Sequence, residues 1–73
     1  MTEEDILVRL QMLGYTVHQP GELDDDINIT APGVGIYLYR APDEQEWNSY
    51  RTTRGTGDAV PLFQALLAIK SIP

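Results

Sequence analysis

The sequence predicts a small α+β domain, a two-layer sandwich whose N-terminal and C-terminal helices pack on one face of a small antiparallel sheet. Apolar residues recur at helical spacing near both ends of the chain, and alternating apolar and polar residues fill the segments between them. The expected element order is α-β-β-β-β-α, or α-β-β-β-α if one of the first two strands is irregular. With 73 residues, the chain is expected to form a single domain, 1–73, around one core.

The first helix is predicted from about residue 3 to residue 13. Thr2 is suited to cap its N-terminus, with Asp5 three residues later as a variant of the capping box. Gly14 suits the left-handed conformation that commonly ends a helix. The apolar stripe of this helix consists of Ile6, Leu7, Leu10 and Leu13.

Four segments between the helices have the composition or alternation of strands, and turn residues bound them. The clearest strand is 36–41, and 46–53 is expected to return as its antiparallel neighbour. Residues 22–26 are predicted to form an acidic loop. The other two predicted strands are 15–19 and 27–30.

The last helix is predicted to begin at Asp58, a suitable N-cap residue that follows the sequence Gly55-Thr56-Gly57. Pro61 is tolerated in a first turn because its missing N–H group has no intrahelical partner there. The apolar face of this helix consists of Val60, Phe63, Leu66, Leu67 and Ile69.

Strand alternation assigns the side chains to two faces of the sheet. The face under the helices is predicted to hold Tyr15, Val17, Ile27, Ile29, Ile36 and Leu38. The open face is predicted to hold Thr16, His18, Asn28, Thr30, Tyr37 and Tyr39.

The register between the last two strands decides where Trp47 lies. Pairing Tyr39 with Trp47 sets Arg40 opposite Glu46 and keeps Tyr50 over the core, and this register matches opposite charges. A one-residue slip would instead place Trp47 opposite Arg40. We prefer the first register.

In that register, Tyr37, Tyr39 and Trp47 form an aromatic patch on the open sheet face, and this patch is a candidate partner-binding surface. Tyrosine and tryptophan are enriched at binding hot spots because they are large, stiff and equipped with a polar tip. The alternative is that these rings only stabilise the sheet. The acidic residues expected to border the patch and to share in partner binding are Asp24, Asp25, Asp26, Asp43, Glu44 and Glu46.

Negative charge is concentrated in one part of the chain. Residues 1–46 hold ten of the eleven carboxylates and two arginines, which leaves a net charge of −8. Residues 47–73 hold one carboxylate and three basic residues, which gives +2 and a total of −6. A field of this sign repels nucleic acid and anionic membrane surfaces, so neither is an expected partner, and it attracts basic proteins. Solubility alone is the simpler explanation of the acidity.

The residues offer little support for catalysis, a metal or a cofactor, and none of the three is expected. Cysteine is absent, and His18 is the only histidine. Asp24, Asp26 and Asn28 match the first ligand positions of a calcium loop, but Ile29 stands where that loop needs glycine. A phosphate site at 55–58 is a third and weaker hypothesis, because the Asp58 carboxylate would compete for the N–H groups.

The leading hypothesis is a non-enzymatic, acidic, cytoplasmic protein-interaction module that binds a basic partner. Its sharper form is an inhibitor that occupies the basic nucleic-acid-binding surface of a target protein and mimics nucleic acid, as small acidic proteins of phages and mobile elements do. The alternative is a self-associating protein or an accessory subunit of a larger assembly that uses its open aromatic sheet face. A homodimer belongs to this second hypothesis.

Overall fold

The computed structural model describes residues 1–31, 35–49 and 57–69, and it has the predicted architecture of two terminal helices and an antiparallel sheet. The predicted strand 46–53 lies partly outside these ranges. The elements are α1 (Glu3–Met12), β1 (Thr16–His18), β2 (Ile27–Thr30), β3 (Ile36–Arg40), β4 (Asn48–Ser49) and α2 (Ala59–Ala68).

Local signals in the sequence fix both ends of α1. The Thr2 hydroxyl accepts a hydrogen bond from the Asp5 N–H group, and the Asp5 carboxylate accepts one from the Thr2 N–H group, so the capping box is confirmed. Gly14 follows the helix with a φ of +96°, in the left-handed region that favours glycine. The α1 residues that face the core are Ile6 and Leu10, which are fully buried.

At α2, the predicted cap is only partly confirmed. Asp58 occupies the position before the first helical residue, but its carboxylate makes no capping hydrogen bond. Pro61 lies in the first turn, where its missing N–H group costs nothing. The helix buries Ala59, Leu62, Phe63 and Leu66.

The four strands pair in the order β1-β2-β3-β4, so each strand lies beside the one that precedes it in the chain. Val17 pairs with Ile29, and Ile29 pairs with Leu38, so these side chains line the sheet face that the helices cover. Residues from both helices and from this face make one core. The core includes three rings in mutual contact, those of Tyr15, Tyr37 and Phe63, with centroids 5.2 to 5.7 Å apart.

The predicted exposure of Tyr37 is wrong. A bulge interrupts the alternation of β3, because Ile29 pairs with Leu38 while Thr30 pairs with Ile36 and leaves Tyr37 as an extra residue. The bulge turns the Tyr37 ring toward the helices, where it stacks on Phe63 with an interplanar angle of 11°. Tyr37 is consequently only 5% exposed.

The preferred register between the last two strands is also wrong. Leu38 pairs with Ser49 and Tyr39 with Asn48, which is the register shifted by one residue. This register brings Trp47 next to Arg40 on the core side, and the Arg40 guanidinium carbon lies 5.3 Å from the centroid of the Trp47 ring. Trp47 is 4% exposed. Tyr50, which the other register placed over the core, lies outside the described residues.

Within the described ranges, no helix has the length and apolar character needed to cross a membrane.

Candidate acidic interaction site

Two acidic loops emerge from the same end of the sheet. The β1–β2 loop, 19–26, leads into the start of β2, and the β3–β4 loop, 41–47, leaves the end of β3. Ile27 pairs with Arg40, so the two loops begin and end side by side. The antiparallel order therefore brings together acidic residues that lie far apart in the sequence.

The carboxylates of both loops act on the pKa of Asp26. Partial loss of hydration raises this pKa above the ordinary value for aspartate, and neighbouring carboxylates raise it further. These neighbours belong to both loops, in decreasing order of effect Asp24, Glu44, Asp25 and Asp43.

The first turn of α1 contacts the β3–β4 loop at this end of the sheet. The Glu3 carboxylate accepts a hydrogen bond of 2.7 Å from the indole Nε1 of Trp47, and the same oxygen lies 3.5 Å from the Nε of Arg40. This contact connects residues 44 positions apart. The hydrogen bonds from Thr2 lower the pKa of Asp5, so this carboxyl is held in its ionised form.

We refer to these three segments together as the acidic end. They carry ten of the eleven carboxylates of the chain. Its members are Glu3, Glu4 and Asp5 of α1, Glu22, Asp24, Asp25 and Asp26 of the β1–β2 loop, and Asp43, Glu44 and Glu46 of the β3–β4 loop.

A buried arginine, Arg40, connects two segments of the acidic end, the β3–β4 loop and the first turn of α1. Arg40 is 7% exposed, and its Nη1 donates hydrogen bonds to the Glu44 carbonyl at 2.8 Å and to the Ala41 carbonyl at 3.3 Å. The guanidinium also faces Glu3 and the Trp47 ring. Arg40 thus fixes the backbone of the β3–β4 loop and ties the loop to α1.

The β1–β2 loop folds back over the open face of the sheet. Asn28 points to that face as predicted, yet it is fully buried because the loop covers it. Its Nδ2 donates to the Asp24 carboxylate at 2.7 Å and to the Asp26 carbonyl at 3.2 Å. The same Asp24 oxygen accepts a hydrogen bond of 2.8 Å from the Asp26 N–H group. These bonds give the loop a defined shape and present Asp25 to solvent.

The predicted site is therefore divided by the fold. Tyr37 and Trp47 are buried in the core, and Tyr39 is half-buried on the open face, so the exposed three-ring patch does not exist. The predicted acidic residues lie in two loops at the same end of the sheet, but they do not border an aromatic patch. Asp26 is half-buried, and the exposed members are Asp24, Asp25, Asp43, Glu44 and Glu46.

Sequence reasoning missed the part of α1 in this site. From the sequence, Asp5 was assigned only to the capping box, and Glu3 and Glu4 entered only the charge count. The charge count over residues 1–46 already included them, and it was the available signal. Their place beside the loops depends on the contact between Glu3 and Trp47, which no local pattern reveals.

The site presents hydrogen-bond acceptors and negative charge, with little enclosure. An open depression of about 340 Å³ lies in the β3–β4 loop, where the Asn48 amide donates to the Glu44 carboxylate at 3.3 Å. It is lined by Glu44, Gln45, Glu46 and Asn48. Such a surface is suited to cationic groups of a partner, whereas general acid catalysis needs a carboxyl desolvated in a pocket.

His18, the only histidine in the sequence, has a structural partner on the sheet. The Nε2 of His18 lies 2.8 Å from the Thr30 hydroxyl on the open face, so this histidine contacts the neighbouring strand.

Across 1–31, 35–49 and 57–69, no group of three or more His, Cys, Asp or Glu side chains has the geometry to hold a metal ion. Of the third hypothesis, the phosphate site at 55–58, residues 55 and 56 lie outside the described ranges.

No protein-family model matches the chain, and comparison with curated proteins and with solved structures gives no match.

Proposed function

We propose that the protein is a non-enzymatic interaction module whose acidic end binds a basic surface of a partner protein. One observation carries the proposal: three segments, distant in sequence, present ten of the eleven carboxylates at one end of the fold. Like charges brought together in this way cost stability, which favours a role in binding over one in folding. Complementary charge accelerates association and selects the partner.

The sharper form of the proposal is that the partner surface normally binds nucleic acid and that the acidic end occludes it. Asp24 and Glu44 lie on loops whose backbones accept hydrogen bonds from Asn28 and Arg40, and the Asp24 carboxylate itself accepts one from Asn28. Carboxylates fixed in this way imitate a row of phosphates better than carboxylates on a mobile tail, because less conformational entropy is lost on binding. The protein then acts as an inhibitor by competition.

The test begins with affinity capture from the native host, followed by measurement of the binding constant for each captured protein at several salt concentrations. We expect binding to weaken steeply as salt rises, because the attraction between exposed charges is screened. A DNA or RNA duplex of about 20 base pairs should compete with the chain if the captured surface binds nucleic acid. Binding that is insensitive to salt would contradict the proposal.

A matched pair of variants distinguishes the contribution of the acidic end to binding from the effect of net charge. Asp25→Asn removes one exposed carboxylate within the acidic end, and Asp58→Asn removes one exposed carboxylate outside it. We expect Asp25→Asn to weaken binding about threefold or more and Asp58→Asn to leave it nearly unchanged. The triple variant Asp24→Asn/Asp25→Asn/Asp26→Asn should flatten the dependence on salt. If the two single variants weaken binding equally, general electrostatic attraction explains the binding and the acidic end is not a specific binding site.

A further inference from the structure

An open groove of about 420 Å³ runs between α1 and the start of α2, and the proposed function does not use it. Met12 and Leu13 form one wall, Pro61 belongs to the other, and Met1 also lines the groove. Across the described ranges, the exposed large apolar residues are Met1, Val8, Met12, Leu13 and Leu23.

Three of these five exposed apolar residues line this one groove. Met12 is 80% exposed, Met1 65% and Leu13 40%. Exposed apolar residues scattered singly need no explanation, whereas three that line one groove form a candidate contact surface for another molecule. Methionine suits such a surface because its flexible thioether side chain adapts to the shape of its partner.

The charges of the groove indicate what covers it. Arg9 stands on the α1 side and Asp58 on the α2 side, and no salt bridge joins the two. In an interface with two-fold symmetry, every contact occurs twice with the roles exchanged. Arg9 of each copy would then meet Asp58 of the other, so the groove is complementary in charge to itself. A basic partner would gain little here, since it would meet Arg9 as well as Asp58.

We propose that this groove is the contact surface of a homodimer, with Met12 of each copy inserted into the groove of the other. The Asp58 carboxylate is available for the pairing because it makes no capping hydrogen bond in α2. The interface differs from the predicted aromatic sheet face, and it shares no residue with the acidic end. The experiments on dimerisation and on binding of a basic partner therefore test the two proposals independently.

Sedimentation equilibrium tests the dimer. Because the groove is small, we expect a weak dimer that becomes populated between roughly 10 μM and 1 mM. Added salt screens both the repulsion between the two acidic ends and the attraction between Arg9 and Asp58, so dimerisation should depend on salt less than the binding of a basic partner does. A monomer at every concentration in this range would overturn the proposal.

Two substitutions that shorten an apolar side chain test the contact of Met12 with the groove. Met12→Ser should lower the association constant about tenfold, because it removes the side chain that fills the groove. Leu23→Ser is the matched control, since Leu23 is 55% exposed but lies in the β1–β2 loop, outside the groove. If both variants lower association equally, the contact is unspecific and the groove is not the interface.

Charge reversal tests the pairing itself. Arg9→Asp and Asp58→Arg should each lower the association constant, because each creates a repulsive pair across the interface. The double variant Arg9→Asp/Asp58→Arg should restore it toward the wild-type value. Both positions are exposed, and circular dichroism checks that each variant is folded. Failure of the double variant to recover association in folded protein would overturn the proposal.

Discussion

Arg40 is the residue on which the acidic end depends most directly. Its guanidinium lies between the Glu3 carboxylate, the Trp47 ring and the carbonyls of Ala41 and Glu44. Burying an arginine is costly unless its donors are satisfied. Here the hydrogen bonds of Nη1 to the β3–β4 loop and the ion pair with Glu3 of α1 offset part of the cost, while the buried Nε makes no hydrogen bond to the described part of the chain. One side chain of β3 thus joins the loop to α1.

We therefore expect Arg40→Met to lower the free energy of unfolding by about 2 kcal/mol, below the range for a fully buried pair because Glu3 remains partly hydrated. The substitution leaves the Glu44 carbonyl without its donor and Glu3 without its cation. Urea denaturation at neutral pH measures the change.

Arg9→Met is the control, since it removes the same charge from an exposed position of α1. At protein concentrations below those that populate the proposed dimer, it should change the stability by less than about 0.5 kcal/mol. The double variant Glu3→Gln/Arg40→Met should recover part of the loss, because it removes both charges of the pair. Equal effects of Arg40→Met and Arg9→Met would show that the buried contacts contribute little.

At the scale of single elements, β3 shows that strand alternation alone does not assign every side chain to the correct face of the sheet. Alternation correctly predicted that Leu38 faces the core and that Tyr39 faces away from it. The bulge brings Tyr37 to the core side as well, next to Phe63. One irregular residue thus converts a predicted surface ring into a core ring.

The structure predicts a large difference between two neighbouring tyrosines. Tyr37→Ala should cost about 3 kcal/mol, because it removes a buried ring that contacts Tyr15 and Phe63. Tyr39→Ala should cost less than half as much, since Tyr39 is only half-buried. Chemical denaturation of the two variants measures both values. A similar cost for both would argue against the bulge.

The ends of α1 were predictable from the sequence because their signals are local. Thr2, Asp5 and Gly14 act within a few residues of where they stand. The register of β4 was not predictable in this way. The charge match that favoured the other register involves Arg40 and Glu46 and is worth about 0.2–1 kcal/mol when exposed, whereas burying the Trp47 indole is worth more.

The candidate site was predicted in its composition but not in its boundaries. Its loop acids follow from charge counting and from the turn residues around them. The loss of the aromatic rings and the addition of the first turn of α1 both follow from the packing of Trp47 against Arg40 and Glu3. Packing between distant segments has no signature in a single sequence, so this part required the structure.

At the scale of the whole molecule, bringing carboxylates together at the acidic end lowers the stability of the fold by an amount that depends on pH. The pKa of Asp26 is raised in the folded state by lost hydration and by nearby carboxylates. Folding therefore favours the protonated form, and the ionised form destabilises the fold. The penalty is fully present above the folded pKa and disappears as the pH falls below the ordinary pKa of aspartate.

Asp26→Asn should accordingly raise the melting temperature at pH 7, and the gain should vanish near about pH 3. The substitution preserves the loop, because the hydrogen bonds of Asp26 with Asp24 and Asn28 use its backbone. Asp58→Asn, outside the acidic end, should change the melting temperature little at either pH. Thermal unfolding followed by circular dichroism gives both comparisons, and a gain that persists at acidic pH would contradict the electrostatic explanation.

The uncrossed order of the strands has a consequence for how quickly the chain folds. Each hairpin closes over a short stretch of chain, so the sheet can assemble from neighbouring parts without a long conformational search. Docking of the N-terminal turn onto the indole spans 44 positions, and the contact between the Tyr15 and Phe63 rings joins residues that are farther apart still, so both contacts carry a larger loop-closure entropy than the hairpins. Slow steps in refolding should therefore be sought in the docking of the two helices and not in strand pairing.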